Sequence, residues 1–182
     1  MTVRSATPSD AAEIARIHVD TWRAAYRGIV PQDYLASLSY EESEEMWRRT
    51  ASEGGGNAGC LFVVGEGGTP FGFSSGRPRT RFSQGFAEYR GVLETLYVLP
   101  SRQRAGAGSQ LLGAVAGHLT ECGVSSMLLW VFEENKIARR FYESLGGTLI
   151  GEDRFELGGA ELPEVAYGWK ALEVLRPNPT AD

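Results

Sequence analysis

Residues 103–109 read Gln-Arg-Ala-Gly-Ala-Gly-Ser. They fall between an apolar run closed by Pro100 and a segment whose Leu111, Leu112, Val115, Ala116 and Leu119 repeat at helical spacing. The first turn of a helix carries unpaired N–H groups and a partial positive charge. Glycines let a backbone curl closely around a bulky anion. A glycine turn opening a helix is therefore equipped to hold phosphate oxygens. Three readings compete. A dinucleotide turn, G-x-G-x-x-G, would need a third glycine at position 111, where Leu111 stands. A P-loop would end in Gly-Lys-Ser or Gly-Lys-Thr, and this turn does not. An ordinary strand-to-helix turn is the third reading. Gln103 ahead of the glycines, Pro100 ending the strand and the helix behind them favour a phosphate-bearing ligand over it.

Other residues able to do chemistry are spread along the chain. Tyr142 follows Phe141 on a predicted helix, where it is either a core ring or a proton donor. Glu94 lies inside a predicted strand, with regular alternation placing it on one face with Val92, Leu96 and Val98. It is either a surface glutamate or a proton acceptor. Glu88, on a loop, is the weaker candidate. Trp22, Tyr26 and Tyr34 fall in the first helices, where they pack the core or line a pocket. His18 and His118 sit on different predicted helices, and form neither a metal pair nor a triad. Cys60 and Cys122 show no metal-ligand spacing and no disulfide framework, so both read as reduced, packed thiols. No metal is expected.

These residues need a scaffold. A short strand at 2–6 precedes Thr7-Pro8-Ser9-Asp10, a capping-box helix start. The first helix ends at Gly28, Pro31 opens a short second one, and Ser39 with Glu42 caps a third to about Arg49. Strands at 60–65 and 70–77 form a hairpin, and a polar loop over 78–91 leads to a strand at 92–99. A helix over 107–121, a strand at 127–132, a helix over 135–145 closed by Gly146-Gly147, and strands at 148–157 and 163–171 complete the pattern. The order predicts an α/β (α+β) chain, with a mixed sheet and helices on both faces. A single domain is expected over 1–175, followed by a disordered tail, 176–182.

At 182 residues and a net charge of −5, the chain suits one domain and argues against a nucleic-acid partner. Met1 to Pro8 lacks the apolar core of a signal peptide, and no apolar run is long enough to span a bilayer. The expectation is a cytoplasmic enzyme without a membrane partner.

Tyr97-Val98-Leu99-Pro100 followed by Gln103-x-x-Gly106-x-Gly108 resembles the first signature, Q/R-x-x-G-x-G/A, of the GNAT family of N-acetyltransferases. Asn135, Ala138, Phe141-Tyr142-Glu143 and Leu145-Gly146-Gly147 resemble its second. Glu164-Val165-Ala166-Tyr167 suits the family's last hairpin, and the element order agrees over roughly residues 2–172. The resemblance implies a mostly antiparallel sheet with a V-shaped split between strands 92–99 and 127–132. It also implies transfer of an acetyl group from acetyl-CoA to an amine, on a small molecule or a protein.

In that layout Leu96, Tyr97 and Val98 pair with the pantetheine arm, and an N–H of Leu96 or Val98 meets the developing oxyanion. Gln103, Arg104, Ala105, Gly106, Ala107, Gly108 and Ser109 hold the pyrophosphate. Asn135, Ala138, Phe141 and Tyr142 line the thiol side, with Tyr142 in the general-acid position. Trp22 and Tyr26 border the acceptor. A homodimer is common for such folds. The chain departs from the family at two places. Family members usually carry glycine where Arg104 stands, and often a basic residue where Ala105 stands, so Arg104 supplies that charge one position early. Their usual glutamate base would fall at Val92, so Glu94 is the substitute. The absent glutamate also leaves room for a non-catalytic acyl-CoA-binding or sensing module on the same fold.

Overall fold

The computed structural model describes residues 1–56, 58–79 and 86–175. The expected tail at 176–182, Asn57, and residues 80–85 of the 78–91 loop lie outside them. One seven-stranded sheet runs through the molecule in the order β1 (Thr2–Ser5), β2 (Cys60–Glu66), β3 (Thr69–Pro78), β4 (Gly91–Val98), β5 (Met127–Phe132), β7 (Ala160–Trp169), β6 (Thr148–Leu157). Every neighbouring pair is antiparallel except β4 and β5, which run parallel.

Helices cover both faces. Alternation along β2 divides its side chains. Leu61 and Val63 meet Ile14 and Ile17 of α1 (Ala11–Ala25) and Trp47 of α3 (Tyr40–Ser52), whereas Cys60 and Val64 meet α4 (Ala107–Glu121). The α4 stripe of Leu111, Leu112, Val115, Ala116 and Leu119 is fully buried, as its spacing requires. A single 3-10 turn, Pro8–Asp10, precedes α1. There the Asp10 carboxylate accepts from the Thr7 N–H at 2.8 Å and from both Arg4 nitrogens at 2.7 and 2.8 Å. A short helix α2 (Gln32–Ser37) follows α1, and α5 (Lys136–Ser144) joins β5 to β6. The last strand starts at Ala160, three residues before the position predicted from the sequence. The hairpin turn is only Gly158-Gly159, so pairing resumes at once, with Leu157 opposite Ala160.

Two irregularities shape the centre of the sheet. The parallel ladder between β4 and β5 has only two residue pairs, Gly91 with Met127 and Val92 with Leu128. Beyond Val92, β4 has no strand partner on its β5 side, so the strands part into a V that opens toward Val98 and Phe132. The second irregularity is a bulge beside the closed end of that V. Ser75 pairs with Thr95 and Gly76 with Leu93, leaving Glu94 opposite no residue of β3.

Candidate active site

At the open end of the V, β4 gives way to the turn that carries the glycines. The Gln103 side-chain amide donates to the Val98 carbonyl at 3.0 Å, fastening the turn to the strand end. Arg104 and Gly106 both take the left-handed backbone conformation, at φ +65° and +81°. Arg104 thus adopts a conformation that glycine reaches freely, at a cost of about 1–2 kcal/mol for a residue with a Cβ. Gly106 is the N-cap of α4, and the first amide to bond back is that of Gln110, to the Gly106 carbonyl at 3.1 Å. The N–H groups of Ala107, Gly108 and Ser109 lie ahead of it with no intrahelical acceptor. They sit beside an exposed stretch, residues 101–106, that ends the approach to the helix.

Across the V, Asn135 caps α5 by accepting the Ala138 N–H on its side-chain oxygen at 3.2 Å. That cap fixes the helix whose Ala138 and Phe141 pack with Leu96 of β4 against one core cluster containing Tyr142. Gly108 faces the same helix. Further along, Arg139 donates to the Tyr167 hydroxyl at 3.1 Å, and that hydroxyl donates to Glu143, pinning α5 to β7. Tyr142 is buried, its ring 5.2 Å from that of Phe141 and 6.2 Å from that of Trp169. Burial first, then the neighbouring Tyr26, pushes its hydroxyl pKa well above the ordinary phenol value, so the group keeps its proton.

Four polar side chains from three elements converge where the sheet is split. Burial raises the pKa of Tyr26, at the end of α1. The nearby side chains of Tyr97 on β4, in the same apolar cluster, and of Asn135 at the head of α5 oppose that shift. Tyr97 is half-buried as a residue, yet burial of its hydroxyl drives its pKa well up, with Tyr26 and Tyr142 adding to the effect. The Trp22 indole N–H favours the ionised form of Tyr97, yet Nε1 is buried with no hydrogen-bond partner in good geometry. Of the residues predicted from the sequence, Tyr26, Tyr97, Asn135 and Tyr142 therefore meet. Leu96, Phe141 and Gly108 form a second contact group alongside them.

Glu94 is placed differently from the regular-alternation expectation. Because of the bulge, Leu93, Leu96 and Val98 face α4, whereas Glu94 shares the opposite face with Thr95 and Tyr97. Its carboxylate accepts from Arg77 Nε at 2.7 Å. Arg77 lies on β3, so this ion pair draws the carboxylate toward the side of β4 away from β5. Sequence reasoning passed over His18 as a site residue. Its ring lies 5.7 Å from each of Trp22, Trp47 and Tyr97, and its Nδ1 accepts from the Trp47 indole at 3.4 Å. Burial lowers its pKa to about 4, so it is neutral near pH 7.

A sequence profile of the Acetyltransferase (GNAT) family matches residues 12–147, which include the glycine turn, Asn135 and Tyr142. The chain belongs to the GNAT acetyltransferase family. As a member it is an enzyme, an acetyl-CoA-dependent N-acetyltransferase. It is 41% identical over 177 residues to the uncharacterized N-acetyltransferase YuaI of Bacillus subtilis, covering 97% of this chain and 96% of that protein.

Solved structures share the architecture. PaiA N-acetyltransferase of Thermoplasma acidophilum, in complex with coenzyme A, aligns with a TM-score of 0.71 at 18% identity, over 90% of this chain and 96% of that one. The structure of yncA from Salmonella typhimurium, with acetyl-CoA, aligns at 0.68 and 22% identity, over 100% and 98%. At such identities the likeness is one of fold. The mixed, mostly antiparallel seven-stranded sheet agrees with the architecture expected from the GNAT resemblance. Among the described residues, no helix is long and apolar enough to cross a membrane.

Proposed function

We propose that this GNAT enzyme moves the acetyl group of acetyl-CoA directly onto a primary amine, through a tetrahedral intermediate and without an acyl-enzyme. The observation that carries this reading is the unpaired first turn of α4 at the mouth of the β4–β5 split, with Tyr142 reaching the same split from α5. The N–H groups of residues 107–109 suit a pyrophosphate, and Arg104 adds charge beside them. The unpaired β4 edge from Leu96 to Val98 offers backbone groups to an extended pantetheine arm. The same edge provides N–H donors for the oxyanion that forms when the amine attacks.

Each proton has a candidate destination. An acceptor ammonium has a pKa of about 10 and must lose a proton before it can attack. Glu94, on the α1 face near the closed end of the V, takes it through water, after loosening its pair with Arg77. When the carbon–sulfur bond breaks, the electron pair goes to sulfur, and Tyr142, buried and protonated, donates to it. Trp22 and Tyr26 border the acceptor on the same face as Glu94.

A second reading, a non-catalytic acyl-CoA-binding module, draws on one observation: the Arg77–Glu94 pair occupies the candidate base. Thiol release from acetyl-CoA in the presence of a panel of small amines and N-terminal peptides separates the two. Amine-dependent release supports transfer. Tight acetyl-CoA binding without release under any acceptor supports the binding module. Binding itself is tested with Gly106→Val, since a β-branched residue cannot hold φ +81° without strain. Calorimetry should show acetyl-CoA binding lost in a variant that still folds; unchanged affinity would remove the turn from the site.

A further inference from the structure

We infer that the Glu164 carboxylate receives a second cationic group of the acceptor, which makes the preferred substrate an aliphatic di- or polyamine rather than a monoamine. This rests on the acetyl-transfer reading above and names the substrate class of that same site.

The sheet register places Glu164. On β7 it lies directly opposite Phe132, the last residue of β5 at the open end of the split, and on its other side directly opposite Asp153 of β6. Side chains paired across antiparallel strands share a face. Phe132 packs in one cluster with Tyr26, Val30, Leu35 and Leu162, so that face is the one on which Trp22 and Tyr26 border the acceptor. Phe132, Glu164 and Asp153 therefore form a row that runs outward from the split to the edge strand β6.

The row lies between two covers. Toward the closed end of the V, the next row on the same face is Trp130, Ala166 and Gly151, and Phe86 lies over it, its ring 5.6 Å from that of Trp130 and its tip against Gly151. In the other direction, Leu162 is buried in the cluster with Val30 and Leu35. Between these covers Glu164 is half-buried and Asp153 is exposed. The row is thus the floor of a groove leading to the split, with two carboxylates along it.

Like charges directly opposite one another weaken a sheet, and among the described residues neither carboxylate has a cationic partner. Asp153 accepts the neighbouring Arg154 N–H at 2.8 Å, but the Arg154 side chain turns to the other face and pairs with Glu161 at 3.8 Å. Burial, then Asp153, raises the Glu164 pKa, as expected of a carboxylate with no counter-charge. An ammonium brought by the substrate supplies what is missing, and the rings of Phe132 and Trp130 on the same face add surface that attracts a cation. Neighbouring strands lie about 4.8 Å apart, so an extended arm beside β5 runs about two spacings, roughly 10 Å, from the β7 backbone. The Glu164 side chain spans part of that distance and a short methylene chain the rest. One nitrogen of the acceptor then meets the thioester while another rests on Glu164, which takes no part in proton transfer.

The test compares butylamine with diaminobutane, which carries an amine at each end of the same carbon chain, and with spermidine. Wild-type kcat/KM should favour the two polycations over butylamine, and added salt should erode the preference. Glu164→Gln, which keeps the shape and removes the charge, should lower kcat/KM for diaminobutane by roughly 5- to 10-fold, the scale of one partly screened charge pair. The loss should fall on KM, with butylamine affected far less and acetyl-CoA affinity and melting temperature unchanged. Equal losses for butylamine and diaminobutane, or an unchanged preference in Glu164→Gln, would overturn the inference. Wild-type turnover of butylamine without any preference for the polycations would leave the acetyl-transfer reading standing and sink this one. If no amine releases thiol from acetyl-CoA, both fail.

Discussion

A Cβ built on Gly108 would stand 3.0 Å from Phe141 Cζ and 3.2 Å from its Cε2, so the first turn of α4 and the middle of α5 touch where any side chain would press on the Phe141 ring. This contact sets the spacing between the glycine turn and the helix bearing Tyr142. Gly108→Val should displace the Phe141 ring and weaken acetyl-CoA binding by roughly tenfold, the equivalent of about 1.4 kcal/mol of misfit. Phe141→Leu added to that variant should recover part of the affinity. Isothermal titration calorimetry of the three proteins checks both statements, and an unchanged Kd in Gly108→Val would show that the spacing is not critical.

Tyr142→Phe removes one hydroxyl from a well-packed ring. Its expected effect is a fall in kcat of about 10²-fold, the scale of a lost proton-transfer group, with acetyl-CoA affinity and melting temperature close to wild type. Steady-state kinetics beside a binding isotherm provide the check. Turnover near the wild-type value would reassign the phenol to packing.

Glu94→Gln and Arg77→Met probe the two ends of the 2.7 Å ion pair. If Glu94 collects the amine proton, Glu94→Gln should depress kcat/KM most at low pH, where few acceptor molecules are already neutral, and raising the pH should recover part of the loss. Arg77→Met frees the carboxylate and should leave catalysis intact or improve it, with little cost in stability because both partners are exposed to solvent. A wild-type pH–rate profile in Glu94→Gln would make Glu94 an ordinary strand residue and turn attention to Glu88.

His18 gives folding a pH dependence of known sign. Its pKa is about 4 in the folded protein and 6.5 in its absence. Between those values the unfolded chain binds the proton and the folded one does not. Stability should therefore fall as pH drops from about 6.5 to about 4, and His18 should add no further loss below that. Urea midpoints measured across this window should show a shallower slope in His18→Gln. An identical slope would mean that the imidazole is solvated after all.

Much of this arrangement is readable from residue order. The α4 helix begins and ends where predicted, at Ala107 and Glu121, because a glycine turn and a clear apolar period bound it. Met127–Phe132 is equally plain, being an unbroken apolar run of strand length. Two features left no local mark. The bulge at Glu94 depends on how β4 pairs with Ser75 and Gly76, some twenty residues earlier, so a regular alternation through Leu96 and Val98 was the natural reading of the strand alone. The meeting of Tyr26, Tyr97, Asn135 and Tyr142 depends on a gap in the sheet, and residues spread from 26 to 142 acquire their proximity only in three dimensions. The resemblance selected most of these positions, but not their convergence at the split.

Unsatisfied strand edges usually lie on the outside of a sheet, where they invite any passing chain to add itself. This protein keeps a pair of such edges at its centre, on β4 and β5 beyond the Val92–Leu128 pair. They face one another across an opening in the sheet, close to the first turn of α4 and to α5. Main-chain pairing, normally a liability when left incomplete, is left incomplete here at the middle of the sheet rather than at its rim.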